Sequence, residues 1–126
     1  MARTDEKVRY SPGSKPAWTP ATAAEGVAAA FAILEGRWKM LILFHLFGGA
    51  VLRFSELERA IPAVSQKMLI QQLRQLEADG VVERIVYAEV PPKVEYRLTP
   101  WGQALCPALD AILTWAGQRP ENGGRR

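Results

Sequence analysis

Basic and amide side chains recur at helical spacing between positions 66 and 78 of the chain. Lys67, Gln71 and Arg74 are separated by four and three residues, and Ala78 follows four residues later. Residues at these spacings share one face of a helix, and no carboxylate lies at the centre of this face. Lysine and arginine can bind phosphates or guanine edges, and glutamine can bond adenine through two hydrogen bonds. The spacing therefore predicts a surface that can enter the major groove of DNA.

The helix that must carry this surface is marked at both ends. Ser65 is a favourable N-cap and Gly80 follows the last periodic residue, so we predict a helix within residues 65–79. The N-terminal amides of a helix bind anions, so Ser65 and Gln66 join the candidate contacts to DNA. The opposite face would pack in a core through Leu69, Leu73 and Leu76.

A shorter helix precedes it, and the pair has the spacing of a helix-turn-helix. Residues 53–61 predict about two helical turns that Pro62 ends, and residues 62–64 form the turn before Ser65. Two helices joined by so short a turn are typical of a helix-turn-helix motif. The second helix of such a motif is the one that enters the major groove.

A β-hairpin follows the two helices. Residues 81–87 and 93–98 are rich in branched and aromatic side chains and predict two short strands. The tip between them, residues 90–92, holds two prolines, which lack a backbone donor and therefore suit an exposed turn. Such a hairpin forms a wing over residues 87–97, and Lys93 is placed to contact the flanking DNA backbone or minor groove.

Helices are also expected before and after this motif. An alanine-rich stretch predicts a helix over residues 22–34, and residues 37–47 are apolar on nearly every side, which predicts burial on all faces. Thr99 and Pro100 begin a last helix, in which we expect a kink at Pro107. Its apolar stripe consists of Trp101, Leu105, Ala108, Leu109, Ile112, Trp115 and Ala116.

The predicted fold class is α+β and mainly α, namely a winged helix-turn-helix with a two-stranded β wing. Residues 1–20 are rich in proline, glycine and serine, so we expect a flexible arm there. Residues 21–118 would form the folded domain. Residues 119–126 are polar and glycine-containing and would form a disordered tail.

Charge and composition restrict the class of protein. The formal net charge is +3, but residues 1–20 and 119–126 each contribute +2, and the segment between them has nine basic and ten acidic residues. DNA binding must therefore depend on where particular side chains point. No apolar run is long enough for a membrane span or a secretory leader, so we expect a cytoplasmic protein that does not enter the membrane.

The sequence holds no constellation for catalysis or for binding a metal or cofactor, so we expect no enzyme. The single cysteine, Cys106, excludes an intramolecular disulfide and a cysteine-rich zinc site, and we expect an inert thiol, with a redox switch as the alternative. His45 lies in the apolar helix without a nucleophile as partner, which favours a buried or interface position. A module that binds protein through the exposed helix face is the alternative function, because the central segment is not basic.

Four segments carry a family resemblance. They are GRWKMLIL at 36–43, LRFSEL at 52–57, MLIQQLRQLEADGVVER at 68–84 and YAEVPPKVEYRLT at 87–99. In this order and with few gaps, they resemble the HxlR family of MarR-like winged-helix transcriptional regulators. The likeness extends from about residue 27 to residue 115, so it covers most of the chain.

The resemblance implies a DNA-binding regulator that acts as a homodimer on a pseudo-palindromic operator. We expect a repressor, and activation of transcription stays open as the alternative. The N- and C-terminal helices would form the dimer, Arg53 would contact a phosphate, and a small molecule could serve as effector. Many members carry a cysteine near the start of the first helix, where this chain has Glu25, so sensing through that cysteine is excluded. Trp38, Trp101 and Trp115 could line a pocket between subunits, although such spacings are more often core or interface.

Overall fold

A computed structural model of the protein describes residues 17–120 of the 126-residue chain. The chain divides into two compact units between Glu35 and Gly36. The predicted arm and tail, residues 1–20 and 119–126, lie largely outside the described residues, so the domain limits stay predictions.

The first unit contains helix α1, Pro20–Leu34, which begins two residues before the predicted start. The Thr22 amide donates to Thr19 Oγ1 at 3.1 Å, and the Thr19 amide donates to Thr22 Oγ1 at 3.0 Å. This is a reciprocal capping box, and Pro20 takes the first helical position, where a proline costs no hydrogen bond. The usual partner in a capping box is Glu or Gln, so this start carries a weak signal in the sequence.

The second unit holds the remaining described helices and strands. The helices are α2 Lys39–Leu46, α3 Phe54–Ala60, α4 Gln66–Ala78, α5 Pro100–Gln103 and α6 Leu105–Gly117. The strands are β1 Leu52–Arg53, β2 Val82–Tyr87 and β3 Lys93–Leu98. The core lies where α2, α3 and α4 meet the start of β2. Its most deeply buried side chains are Ile42, Leu43, Leu46, Leu57, Ile61, Leu69, Leu73, Leu76, Val81 and Val82.

The sheet has three antiparallel strands in the order β1-β3-β2, one strand more than the predicted two-stranded wing. β2 and β3 form the predicted hairpin, with Tyr87 opposite Lys93. β1 pairs along the other edge of β3, where Arg53 lies opposite Glu95. A strand of two residues shows no alternation of apolar and polar side chains, and its partner is distant in sequence, so its pairing could not be predicted.

Helix α2 is buried on one side only, so the predicted burial on all faces is wrong for a single chain. It packs against α3, α4 and β3, and His45 near its end is half-buried. An apolar sequence shows that a helix avoids water, but the number of neighbouring elements limits how much of it one chain can cover. The side chains that keep 40–45% of their surface exposed are Met40, Leu41 and Phe44.

The predicted last helix is divided at Ala104 into α5 and α6, three residues before Pro107. Pro107 has no amide hydrogen to donate to the Gln103 carbonyl, and its ring crowds that carbonyl, which explains a bend on the N-terminal side of the proline. In the apolar stripe, Leu109 is buried. The exposed members include Trp101, Ile112 and Trp115.

Candidate nucleic-acid interface

Helix α4 is positioned by a local cap and by a buried apolar face. Ser65 Oγ accepts a hydrogen bond from the Met68 amide at 3.1 Å and thereby satisfies an otherwise unpaired donor of the first turn. The three leucines predicted for the core are buried. The helix ends at Ala78, and Gly80 follows with φ +80°, a conformation that glycine adopts without strain. Both ends and the inner face of α4 are therefore fixed.

The side of α4 that faces away from the leucines is open to solvent. Lys67, Gln71 and Arg74 are exposed, and so are Gln66 and Ala78. Among the described residues, neither Lys67 nor Arg74 forms an ion pair. Two cations and an amide are thus presented together with no acceptor for them within residues 17–120, and such groups can bind phosphates and base edges.

Gln72 follows Gln71 but points inward and is only 6% exposed. It lies against the loop before α2, where a Cβ atom on Gly36 would come within 2.5 Å of Gln72 Oε1. Gly36 also adopts φ +147°, which L side chains rarely adopt. Gln72 therefore packs α4 against this loop and is not available to DNA.

The predicted backbone contacts, Arg53 and Lys93, lie on one face of the sheet. Arg53 is opposite Glu95 in the β1–β3 pairing, and Lys93 is opposite Tyr87 in the β2–β3 pairing. Alternate residues of a strand point to the same face, so Lys93 and Glu95 share a face and bring all four side chains to it. We name Arg53, Tyr87, Lys93 and Glu95 the wing cluster.

The Glu95 carboxylate contacts two members of the wing cluster, Tyr87 and Lys93. The Tyr87 hydroxyl donates to Glu95 Oε1 at 2.9 Å, and Lys93 Nζ lies 3.6 Å from Glu95 Oε2. Lys93 Nζ also lies 4.7 Å from the centre of the Tyr87 ring, which is a cation–π contact. The hydrogen bond to Glu95 raises the pKa of the Tyr87 phenol, because it favours the protonated form that donates to the carboxylate. Lys93 is thus already paired, unlike Lys67 on α4.

The opposite face of the sheet forms a cleft of about 450 Å³ with α4. Arg84 reaches into it, and its Nε lies 3.7 Å from Glu77 Oε1. Burial raises the pKa of Tyr96, beside these charges. Arg84 is a basic candidate that the sequence reasoning missed, although alternation along β2 would have placed it on the face opposite to Glu83. The cleft is lined by Phe54, Gln66, Ile70, Leu73, Arg74, Glu77, Arg84, Val94 and Tyr96.

Other groups that the sequence singled out are not brought together. Cys106 in α6 is partly exposed, and His45 belongs to a different helix, α2. Within residues 17–120, no three side chains of His, Cys, Asp or Glu meet as a metal site requires. In the same range, no helix combines the length and the apolar character that crossing a bilayer demands.

Comparisons with known proteins agree on one family. The model of the family described as HxlR-like helix-turn-helix matches residues 33–123. A relative from Bacillus subtilis, the uncharacterized HTH-type transcriptional regulator YtcD, is 53% identical over 89 residues, which are 71% of this chain and 70% of that protein. The family that the four sequence segments resemble is therefore confirmed.

Solved structures share the fold. The crystal structure of YtcD is 50% identical with a TM-score of 0.67, and the match covers 72% of this chain and 92% of that one. The redox regulator HypR in its reduced form is 40% identical with a TM-score of 0.69, over 76% of this chain and 94% of that one. The helix-turn-helix of α3 and α4 with its small sheet is accordingly a winged helix, as predicted.

Proposed function

We propose a mode of DNA recognition for this chain, which belongs to the HxlR-like helix-turn-helix family of transcriptional regulators. Helix α4 enters the major groove, and the β2–β3 hairpin contacts the flanking backbone or minor groove. Two copies act as a homodimer on a pseudo-palindromic operator. By occupying promoter DNA, the dimer represses transcription.

The observation that carries this proposal is the open face of α4. The Gln71 amide can bond an adenine edge, while Lys67 and Arg74 can bind guanine edges or phosphates. Ser65 and Gln66 lie at the N-terminal end of the same helix, where backbone amides favour a phosphate. Lys67, Gln71 and Arg74 share one face of α4, and all five side chains are exposed to solvent, so a duplex lying along that face could also meet the N-terminal end of the helix.

The hairpin and the short strand β1 supply the contacts outside the major groove. Arg53 and Lys93 lie on the same face of the sheet, so they can hold neighbouring phosphates. Such contacts set the position of a protein on DNA without reading its sequence. We assign Arg53 and Lys93 this role, and the α4 side chains the reading of bases.

A homodimer would supply the second reading helix. Helix α6 exposes Ile112, Leu113 and Trp115, and α1 exposes Val27 and Phe31. Groups of large exposed apolar side chains mark surfaces for protein contacts. A twofold dimer presents two copies of α4, which fits two half-sites of a palindromic operator.

Any effector that regulates DNA binding must act without forming a disulfide within one chain. HypR is a redox regulator by name, whereas this chain has Cys106 as its single cysteine. An intrachain disulfide needs two cysteines at close range. We propose a small molecule as the effector, with a disulfide between the Cys106 thiols of two copies as the redox alternative.

A salt titration tests DNA binding directly. The purified protein is titrated onto the duplex upstream of its own gene and onto a scrambled duplex, at several salt concentrations. We expect tighter binding to the first duplex, and an affinity that falls linearly with salt on logarithmic axes because phosphate contacts release counterions. The double variant Lys67→Ala, Arg74→Ala should lose most of this binding, whereas Arg119→Ala, a change of an exposed cation far along the chain, should not. An unselective or salt-independent result would favour a protein-binding module instead.

A further inference from the structure

We propose that Glu95 is an electrostatic gate on the wing, which holds Lys93 in the free protein and so lowers the affinity for every duplex. The inference rests on the proposed DNA binding and adds a residue that opposes it. For Lys93 to bind a backbone phosphate of DNA, its ion pair with the Glu95 carboxylate must first break.

Glu95 occupies the centre of the wing cluster. It lies on β3, the middle strand, so it has Arg53 of β1 on one side and β2 on the other. Its two oxygens are engaged separately, because Oε1 accepts from the Tyr87 hydroxyl at 2.9 Å and Oε2 lies 3.6 Å from Lys93 Nζ. The side chains of Lys93 and Glu95 are 31% and 18% exposed, so solvent screens this pair only in part.

The cations of the hairpin differ from those of α4. On the same face of the sheet, Arg97 Nη2 lies 2.6 Å from Glu83 Oε2, and Lys93 is held by the gate. Among the described residues, Lys67 and Arg74 on α4 have no such partner. Lys67 and Arg74 can therefore bind DNA directly, whereas the positive charges of Lys93 and Arg97 on the hairpin are already paired with carboxylates in the free protein.

The gate has a defined electrostatic consequence. Ion pairs that reach solvent are weak, so a phosphate can displace Glu95 from Lys93. The displaced carboxylate then lies among phosphates, where it repels them and retains a counterion. This offsets the counterion that Lys93 would release on binding a phosphate. Because backbone contacts carry no sequence information, the penalty is the same for cognate and random DNA.

The variant Glu95→Gln tests the gate, and Glu89→Gln is the matched control. Glu89 is exposed in the loop of the same hairpin and makes no ion pair among the described residues. We expect Glu95→Gln to bind both duplexes about tenfold more tightly at low salt, with a logarithmic salt slope steeper by about one unit. Glu89→Gln removes the same charge from the hairpin without breaking an ion pair to Lys93, so it should change affinity by less than about threefold.

A second variant tests whether the gate acts through Lys93. In the unaltered protein, Lys93→Ala should weaken binding only slightly, since the ammonium is already neutralised. In the Glu95→Gln background the same change should cost about tenfold, which a double-mutant cycle reports as coupling between the two sites. Circular dichroism melts show whether each variant is folded.

Three results would contradict the proposed role of Glu95. Equal gains for Glu95→Gln and Glu89→Gln would mean a general charge effect, and additive effects of Lys93→Ala and Glu95→Gln would mean that the two side chains act independently. If Glu95→Gln does not fold, Lys93→Ala is compared with Lys67→Ala in the otherwise unaltered protein. An equally large loss of DNA affinity in the two variants would overturn the proposal. Absence of DNA binding by the unaltered protein would refute the proposed function, and the gate with it.

Discussion

Gln71 and Gln72 are adjacent residues of one type with opposite surroundings. Successive residues of a helix are turned by about 100°, so Gln71 lies on the exposed face of α4 while Gln72 is buried against Gly36. An amide can read a base edge only if it reaches the groove. At the scale of the residue, the direction of the side chain therefore decides its role.

Changing Gln71 to Ala should reduce the preference for cognate over random DNA by about 1–3 kcal/mol, because a base contact is lost while the phosphate contacts persist. Gln75→Ala is the matched control, since Gln75 is an exposed glutamine on the same helix, outside the group assigned to base reading. Binding isotherms on both duplexes at one salt concentration measure the preference. An equal loss of affinity on both duplexes would contradict the assignment.

Helix α5 approaches the start of β2 so closely that only glycine fits at position 102. A Cβ atom on Gly102 would collide with the carbonyl oxygen of Val81. Thr99 stabilises the same contact, because its Oγ1 accepts a hydrogen bond from the Gly102 amide at 3.0 Å and donates one to the Gly80 carbonyl at 2.7 Å. At the scale of the element, this joint fixes where the C-terminal helices begin relative to the end of α4.

Gly102→Ala should lower the free energy of unfolding by about 1–3 kcal/mol, since backbone must move to accommodate the methyl group. Gly117→Ala is the control, because nothing lies within 4 Å of a Cβ atom there and the residue is also helical. Alanine favours a helix over glycine, so this control should be neutral or slightly stabilising. Urea denaturation measures both, and similar midpoints for the two variants would argue against the close joint.

Large apolar side chains on α6 remain uncovered in the single chain. Trp115 is 73% exposed, and Leu113 on the same helix is 58% exposed. A partner surface that covers them would gain the free energy of removing apolar area from water. At the scale of the whole molecule, this surface supports the proposed homodimer.

Trp115→Glu should therefore raise the dissociation constant of the dimer about thirtyfold or more, as expected when an aromatic side chain at the centre of an interface is lost. Gln118→Glu adds the same charge near the end of α6 and should leave the equilibrium nearly unchanged. Sedimentation equilibrium at several protein concentrations measures both constants. A chain that is monomeric before substitution, or a dimer that tolerates Trp115→Glu, would refute this interface.

Much of the fold could be predicted because its signals are local. The cap at Ser65, the leucine period of α4 and the two strands of the hairpin each depend on residues within one or two turns or one strand. The exposure of Lys67 and Arg74 followed from the same period. The bend near Pro107 was also expected, although the break lies at Ala104, since the proline acts on the preceding turn.

The sequence by itself determined the order of the elements and the face of α4 that is exposed and that we propose for DNA reading, because helical period, caps and turns are set by neighbours along the chain. Only the tertiary structure decided what surrounds the remaining side chains. The pairing of β1 with β3 brought Arg53 beside Glu95, and the pairing of β2 with β3 brought the Tyr87 hydroxyl to the Glu95 carboxylate. Such contacts join residues that are distant in sequence, and their strength depends on register and burial, which no local pattern encodes.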